Sequence, residues 1–364
     1  MSSPRELQFL VSCEGPAKPG IKHSSFPYSV EAWEDEMTRK GVAISAQLAV
    51  VAAILALGSI GGARAADYPD HPVRVIVPFP PGGATDIAGR ILVQKLTERL
   101  HQQFYIENIN GAGGNIGMAT AARAASDGYT ILLASSSIVV NPNLYRVMPF
   151  DAEKDFIAVT KVGASPNSWE VNNDFPAKTM KELINLVKAN PGKYSVASPG
   201  NGTTPSLAIE MLKQAFGLNF VTVPFAGGGP MAQSLLGGFT PISCNALATT
   251  ASFIQAGKIR ALAVTSKQRL ETLPDVPTLG ELGIKDEESE TMAGVFVPAG
   301  TPQPIIGLLQ KEIATIVRLP DVKKRLLDAA TMPDGDSSAD FAAYVKSEIA
   351  KWKRVIEAGK IEKI

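Results

Sequence analysis

Short runs of β-branched and other apolar residues alternate along most of the chain with stretches whose apolar positions recur every three or four residues. The first pair is VRVIVPF at 73–79, a buried strand by its pattern, then DIAGRILVQKLTERL, which sets Ile87, Ile91, Leu92, Leu96 and Leu100 on one helical face. FYIENI at 104–109 and YTILLAS at 129–135 read as strands around a small-residue helix, NIGMATAARAA. The alternation resumes further on. KTMKELINLVKAN predicts a helix stopped by Pro191-Gly192, KYSVAS a strand, PSLAIEMLKQAFG a helix opening on Pro205, and NFVTVPF a strand. A Gly227-Gly228-Gly229 loop and a short helix precede strand TPISCNA, helix TTASFIQAGK and strand IRALAVTS. After the loop-rich stretch 273–290, GVFVPAG predicts one more strand, and helices start near Pro302, Pro320 and Ser337.

Strands alternating with helices imply parallel pairing with right-handed crossovers, so the fold class is α/β. The pattern occurs twice, which predicts two α/β lobes. One strand with three terminal helices makes a poor third domain, so the chain's end is expected to complete the first lobe. Lobe 1 is then 67–165 plus 292–364 and lobe 2 is 166–291, with two crossings that form a hinge beside a cleft. Open α/β sheets bind ligands beyond the carboxyl ends of their strands, where both lobes carry their glycine-rich loops.

The N-terminal segment breaks this pattern. From Met37 the chain has Arg39 and Lys40, an apolar stretch from Val42 to Leu57, and small residues at Ala63 and Ala65. That order predicts a secretory signal peptide over 37–65 and a periplasmic protein. The apolar run approaches the roughly 20 residues of a bilayer span, but no stop-transfer flank follows it. Residues 1–36 lack hydrophobic periodicity and put EAWEDE ahead of the signal, so translation is expected to start at Met37. The full chain has 35 Lys+Arg and 35 Asp+Glu; residues 1–65 hold six of each, which leaves 29 and 29. A balanced chain argues against nucleic acid as a partner. The processed chain keeps Cys244 of the two cysteines, so it is not expected to rely on a disulfide framework. His71 and His101 have no partners at ligand spacing, and neither a metal nor a cofactor is predicted.

The chemistry is expected in two loops. In PFPPGGATD at 78–86, Gly82 and Gly83 can bring bare amides to a ligand, and the helix opening near Thr85 points its positive end the same way. SPGNGTT at 198–204 repeats the arrangement in the other lobe: Ser198, Asn201, Thr203 and Thr204 add side-chain groups and Gly202 a bare amide. Facing helix N-termini predict an anion. Asp86 is either a favourable charge in a first helical turn or an acceptor for a ligand hydroxyl, amine or ring nitrogen. Ser135, Ser136 and Ser137 end a strand at the same edge, either as donors or as ordinary loop polarity. NGAGGNIG at 110–117 does not space its glycines as a dinucleotide fingerprint does.

These loops, with DGYTILLAS, NPNLY, NPGKYSVASPGNGT, VPFAGGGP, IRALAVTS, LPDVPTLGELG and PAGTP in the same order, resemble the Bug family, the periplasmic solute receptors of tripartite tricarboxylate transporters. The resemblance implies a two-lobed venus-flytrap fold that closes on a small carboxylated molecule, with no catalysis. It implies membrane transporter subunits as partners and a monomeric receptor. It extends the expected ligand-binding set to Phe79, Pro81, Ala84, Phe225, Gly227 and Asn245, and it favours a ligand contact at Asp86. Two departures stand out: Cys244 precedes Asn245 where relatives commonly have an acidic residue, and Met292-Ala293 replaces an aromatic pair. Both imply a less charged, less aromatic pocket and a bulkier or more apolar carboxylate. The competing readings are a receptor that serves a membrane sensor, and an exported hydrolase; the chain offers no G-x-S-x-G elbow for the latter.

Overall fold

The computed structural model describes residues 68–284 and 288–364. The expected start at Met37 and the signal peptide lie outside the described residues.

Among the described residues, ten strands and ten α-helices follow one another in chain order. In the first lobe, β1 (Val73–Val77) is flanked in parallel by β2 (Phe104–Asn108) and β3 (Thr130–Ala134). β1 and β3 are buried on both sides, as parallel strands between helical layers must be, whereas β2 at the sheet edge is partly exposed. Val73, Val75, Val77, Ile131 and Leu133 pack into one core, whereas Ile76, Leu132 and Ala134 enter the other. The covering helices are α1 (Ala84–Leu100), α2 (Asn115–Ala122) and α3 (Ser137–Leu144).

The long strand β4 (Phe156–Asn172) then runs out of this lobe into the next. Its first part pairs antiparallel with β9 (Glu290–Pro298) from Phe156 to Pro166, and its last part, from Asn167, pairs with β7 (Ile242–Ala246) and β8 (Ile259–Val264). In the second lobe, β5 (Ser195–Ser198) lies parallel to β6 (Val221–Pro224) and to β7. Its helices are α4 (Met180–Ala189), α5 (Thr204–Phe216), α6 (Gly228–Leu236) and α7 (Leu247–Gln255). Each lobe therefore sets three parallel strands beside a crossing strand that runs against them.

After β9 the chain stays with the first lobe through α8 (Gln303–Arg318), α9 (Pro320–Asp328), β10 (Met332–Pro333) and α10 (Ser338–Ala358). Ile306, Leu309, Ile313 and Val317 of α8 enter one core of that lobe, and Phe341, Val345, Trp352 and Ile356 of α10 the other. β10 adds to the edge of β4 through Met332 and Pro333.

The two crossings meet at Asn167, which is fully buried. Its Nδ2 donates to Ser289 Oγ (2.8 Å) and Thr204 Oγ1 (3.3 Å), its Oδ1 accepts from Thr291 Oγ1 (2.9 Å), and its backbone N–H donates to Thr265 Oγ1 (2.8 Å). One side chain thus ties β4, α5 and the start of β9 where the chain passes between lobes. Neither β4 nor α3 is among the elements expected from the pattern. Lys161, Gly163, Pro166 and Asn167 interrupt the apolar run of β4, and Pro142 lies inside α3.

Candidate functional site

Between the lobes is a pocket of about 450 Å³. It is built from the first turns of five helices. Gly83, Ala84, Thr85 and Asp86 open α1; Ser135 to Ser137 lead into α3; Thr203, Thr204 and Pro205 open α5; Gly228 opens α6; Ala246 and Thr249 belong to the cap and first turn of α7, and Asn245 to the end of β7 just before it. Phe79, Pro199 and Thr291 complete the lining. Helix N-termini leave backbone N–H groups without intrahelical partners and carry a partial positive charge. Glycine N-caps at Gly83 and Gly227 have no side chain with which to occupy those groups in α1 and α6. Among the described lining residues Asp86 is the one charged side chain, so the pocket's positive character comes from the main chain.

The Asp86 carboxylate, though it lines the pocket, is held by donors of the protein itself. Its Oδ2 accepts from Gly82 N–H (2.9 Å) and Arg90 Nε (2.8 Å), and its Oδ1 from Arg90 Nη2 (3.0 Å) and Asn108 Nδ2 (3.0 Å). Four donors use the four lone-pair directions of a carboxylate. Burial alone would raise its pKa, but the Arg90, Gly82 and Asn108 bonds outweigh that and hold it below the usual carboxylate range. Asp86 braces the PPGG turn, and Arg90 neutralises it.

The remaining expected residues divide between pocket and surroundings. Phe79, Gly83, Ala84, Thr85, Ser135, Ser136, Thr203, Thr204 and Asn245 line the pocket with Asp86. Ser136 Oγ is already engaged across the crossing, donating to Glu290 O (3.1 Å) and accepting from Met292 N–H (2.9 Å). Thr204 Oγ1 likewise donates to Glu290 O (3.1 Å). Pro81 and Gly82 are exposed and lie outside the lining. Ser198 is buried beneath it, accepting at Oγ from Gly200 N–H (3.2 Å).

Asn201 and Phe225 face a separate outer cavity of about 640 Å³ that shares Phe79 and Pro199 with the pocket. Gly202 and Gly227 belong to the seam where the lobes touch. A side chain at Gly227 would meet Pro80, one at Gly229 the Pro81 carbonyl, one at Gly113 the Asn201 carbonyl, and one at Gly202 the Asn141 amide. Two pairs of glycine loops therefore press together across the cleft. Cys244 and Met292 do not line the pocket but are buried in the cores of the second and first lobes, so the expected effect of these two departures on the lining is not found.

Ser137, named with Ser135 and Ser136 as a possible donor, also lines the pocket, whereas pattern reading missed Pro199, Pro205, Gly228, Ala246, Thr249 and Thr291.

The comparisons with known proteins agree with this geometry. The family model described as "Tripartite tricarboxylate transporter family receptor" matches residues 88–361. The chain belongs to this family. The receptor is similar to the solved periplasmic binding protein BugD, with 34% identity and a TM-score of 0.79 over 82% of this chain and 100% of that one. It is similar to an R. palustris protein solved with adipate, at 30% identity and TM-score 0.79 over 82% of this chain and 100% of that one. MatC from Rhodopseudomonas palustris, solved with bound malate, is 29% identical with a TM-score of 0.73 over 79% of this chain and 100% of that one. The receptor thus has the two-lobed fold of periplasmic solute-binding proteins.

Proposed function

We propose that this receptor holds one small carboxylate per chain in the interlobe pocket, works in the periplasm as a monomer, and presents its cargo to the membrane subunits of a tripartite tricarboxylate-type transporter. The lobes in this reading are 67–165 with 292–364, and 166–291. The observation that carries it is the convergence of five helix starts on a pocket whose lone carboxylate is neutralised by Arg90. Helix ends contribute about 0.3–1 kcal/mol each, up to ~2 when partly buried, and a hydrogen bond to a charged group about 1.5–3. A handful of these, less the cost of capture, matches the roughly 8 kcal/mol of a micromolar complex. No lysine or arginine clamp is needed. Adipate in one relative and malate in another fit the same class of ligand. The reading includes no turnover, since the lining supplies hydroxyls and amides but no activated nucleophile.

Calorimetry on the purified protein with adipate and with malate tests it, the expected result being a single site for one of them. At Gly83 an added side chain has room, its nearest neighbours being Gly228 N and Pro80 O at 3.9 Å. Gly83→Val should therefore fold normally and fill the space between α1 and α6, weakening binding at least tenfold. Normal binding by the variant, or conversion of either compound into a product, overturns the reading.

A further inference from the structure

The second lobe's side of the pocket carries two polar side chains with unmet hydrogen-bonding capacity. Asn245 is 1% exposed and Thr249 6%. Asn245 Oδ1 accepts from Ala246 N–H (2.9 Å), which directs the amide group, yet its Nδ2 has no partner; nor has Thr249 Oγ1. A buried donor left unpaired is costly, so two of them side by side in a ligand pocket call for a matching group on the ligand. The opening residue of α6 gives them space. Gly228 has no side chain, and a Cβ there would stand 3.0 Å from both Asn245 Oδ1 and Thr249 Oγ1.

Apart from Thr85 and the Ser137 O–H, the other polar side chains of the pocket are already engaged. Ser136 and Thr204 have spent their hydroxyls on the Glu290 carbonyl, Thr203 Oγ1 donates to Gly200 O (2.7 Å), and Ser135 bonds to Ser137. Asp86 is saturated, so a ligand ammonium would find no carboxylate with a free lone pair. Glu170, on β4 opposite Ser243 of β7, does not line the pocket.

We infer that Asn245 and Thr249 form a second polar subsite that selects carboxylates bearing a further oxygen acceptor, as in dicarboxylates, and discriminates against amino-carboxylates. The inference rests on the carboxylate reading above and narrows it. Asn245 Nδ2 donates to the ligand's distal oxygen, and Thr249 donates beside it. A simple alkyl carboxylate leaves both groups buried and unpaired, whereas an amine brings a third donor and no acceptor.

The test is calorimetry with matched probes at two chain lengths: succinate, butyrate and 4-aminobutyrate; adipate, hexanoate and 6-aminohexanoate. At the preferred length the dicarboxylate should bind at least tenfold tighter than the monocarboxylate, and the amine no tighter than the monocarboxylate. Thr249→Val preserves shape and should remove at least tenfold from dicarboxylate binding while changing monocarboxylate binding less than threefold. Thr249→Ser restores the hydroxyl and should restore the preference. Equal binding of mono- and dicarboxylates, an amine as the tightest probe, or equal losses for both classes in Thr249→Val overturns the subsite but leaves carboxylate capture standing. Failure of all six probes overturns carboxylate capture and the subsite with it.

Discussion

Glu170 is a fully buried acid whose only side-chain partners are hydroxyls: Ser168 (2.5 Å) and Thr250 (2.5 Å) at Oε1 and Ser243 (3.2 Å) at Oε2. Burial pushes its pKa up to about 7, and the three hydroxyls offset this only in part. The folded state therefore holds this proton more tightly than the unfolded chain does, so its contribution to stability is complete below the ordinary glutamate pKa and is lost as pH rises to about 7. The free energy of unfolding should fall by up to about 1.4 kcal/mol per pH unit from this one group between pH 5 and 7, then level off above 8. Glu170→Gln, which keeps a neutral group among the same hydroxyls, should flatten that slope; an unchanged slope would show that another group carries it. Asp86 shows the opposite device at the same scale. An acid at the third position of α1 with arginine four residues later had a visible signature of an internal ion pair, yet the Gly82 and Asn108 donors that complete its shell come from the turn and from β2, and no local pattern announces them.

At the scale of elements, the glycine seam is where loops of the two lobes press together. The bare backbones of 80–83 and 227–229 meet, and any side chain at Gly229 runs into the Pro81 carbonyl. Gly229→Ala should hold the lobes slightly apart, weaken ligand binding severalfold to tenfold, and leave the melting of the ligand-free protein nearly unchanged. Scattering with saturating ligand should show a larger radius of gyration than for the unaltered receptor; identical values would remove the seam from the closing mechanism. The parallel strands and the glycine-led helix starts were legible because both have local causes: β-branched runs for buried strands, and Gly, Pro or Thr where a helix begins. β4 was not legible, because its pairing partners change midway from β9 to β7 and β8, and its polar residues at 165–168 serve that changeover instead of marking a loop. Asn167 and Thr291 were overlooked for the same reason. The bond between them joins residues 124 positions apart.

For the whole molecule, β4 matters more than any helix. Because one strand of 17 residues contributes to both lobes, neither lobe can lose its sheet without stripping a strand from the other. Calorimetric melting of the ligand-free protein should give one transition with matching calorimetric and van't Hoff enthalpies, and two resolved transitions would contradict that coupling. The pocket's design bears on descent as well as on binding. An arginine clamp can be erased by a single codon change, but a main-chain amide at a helix start survives almost every substitution made to its own residue. Lineages built on such an anchor can therefore trade the side chains that judge the rest of the cargo, one at a time, and pass through intermediates that still hold an anion.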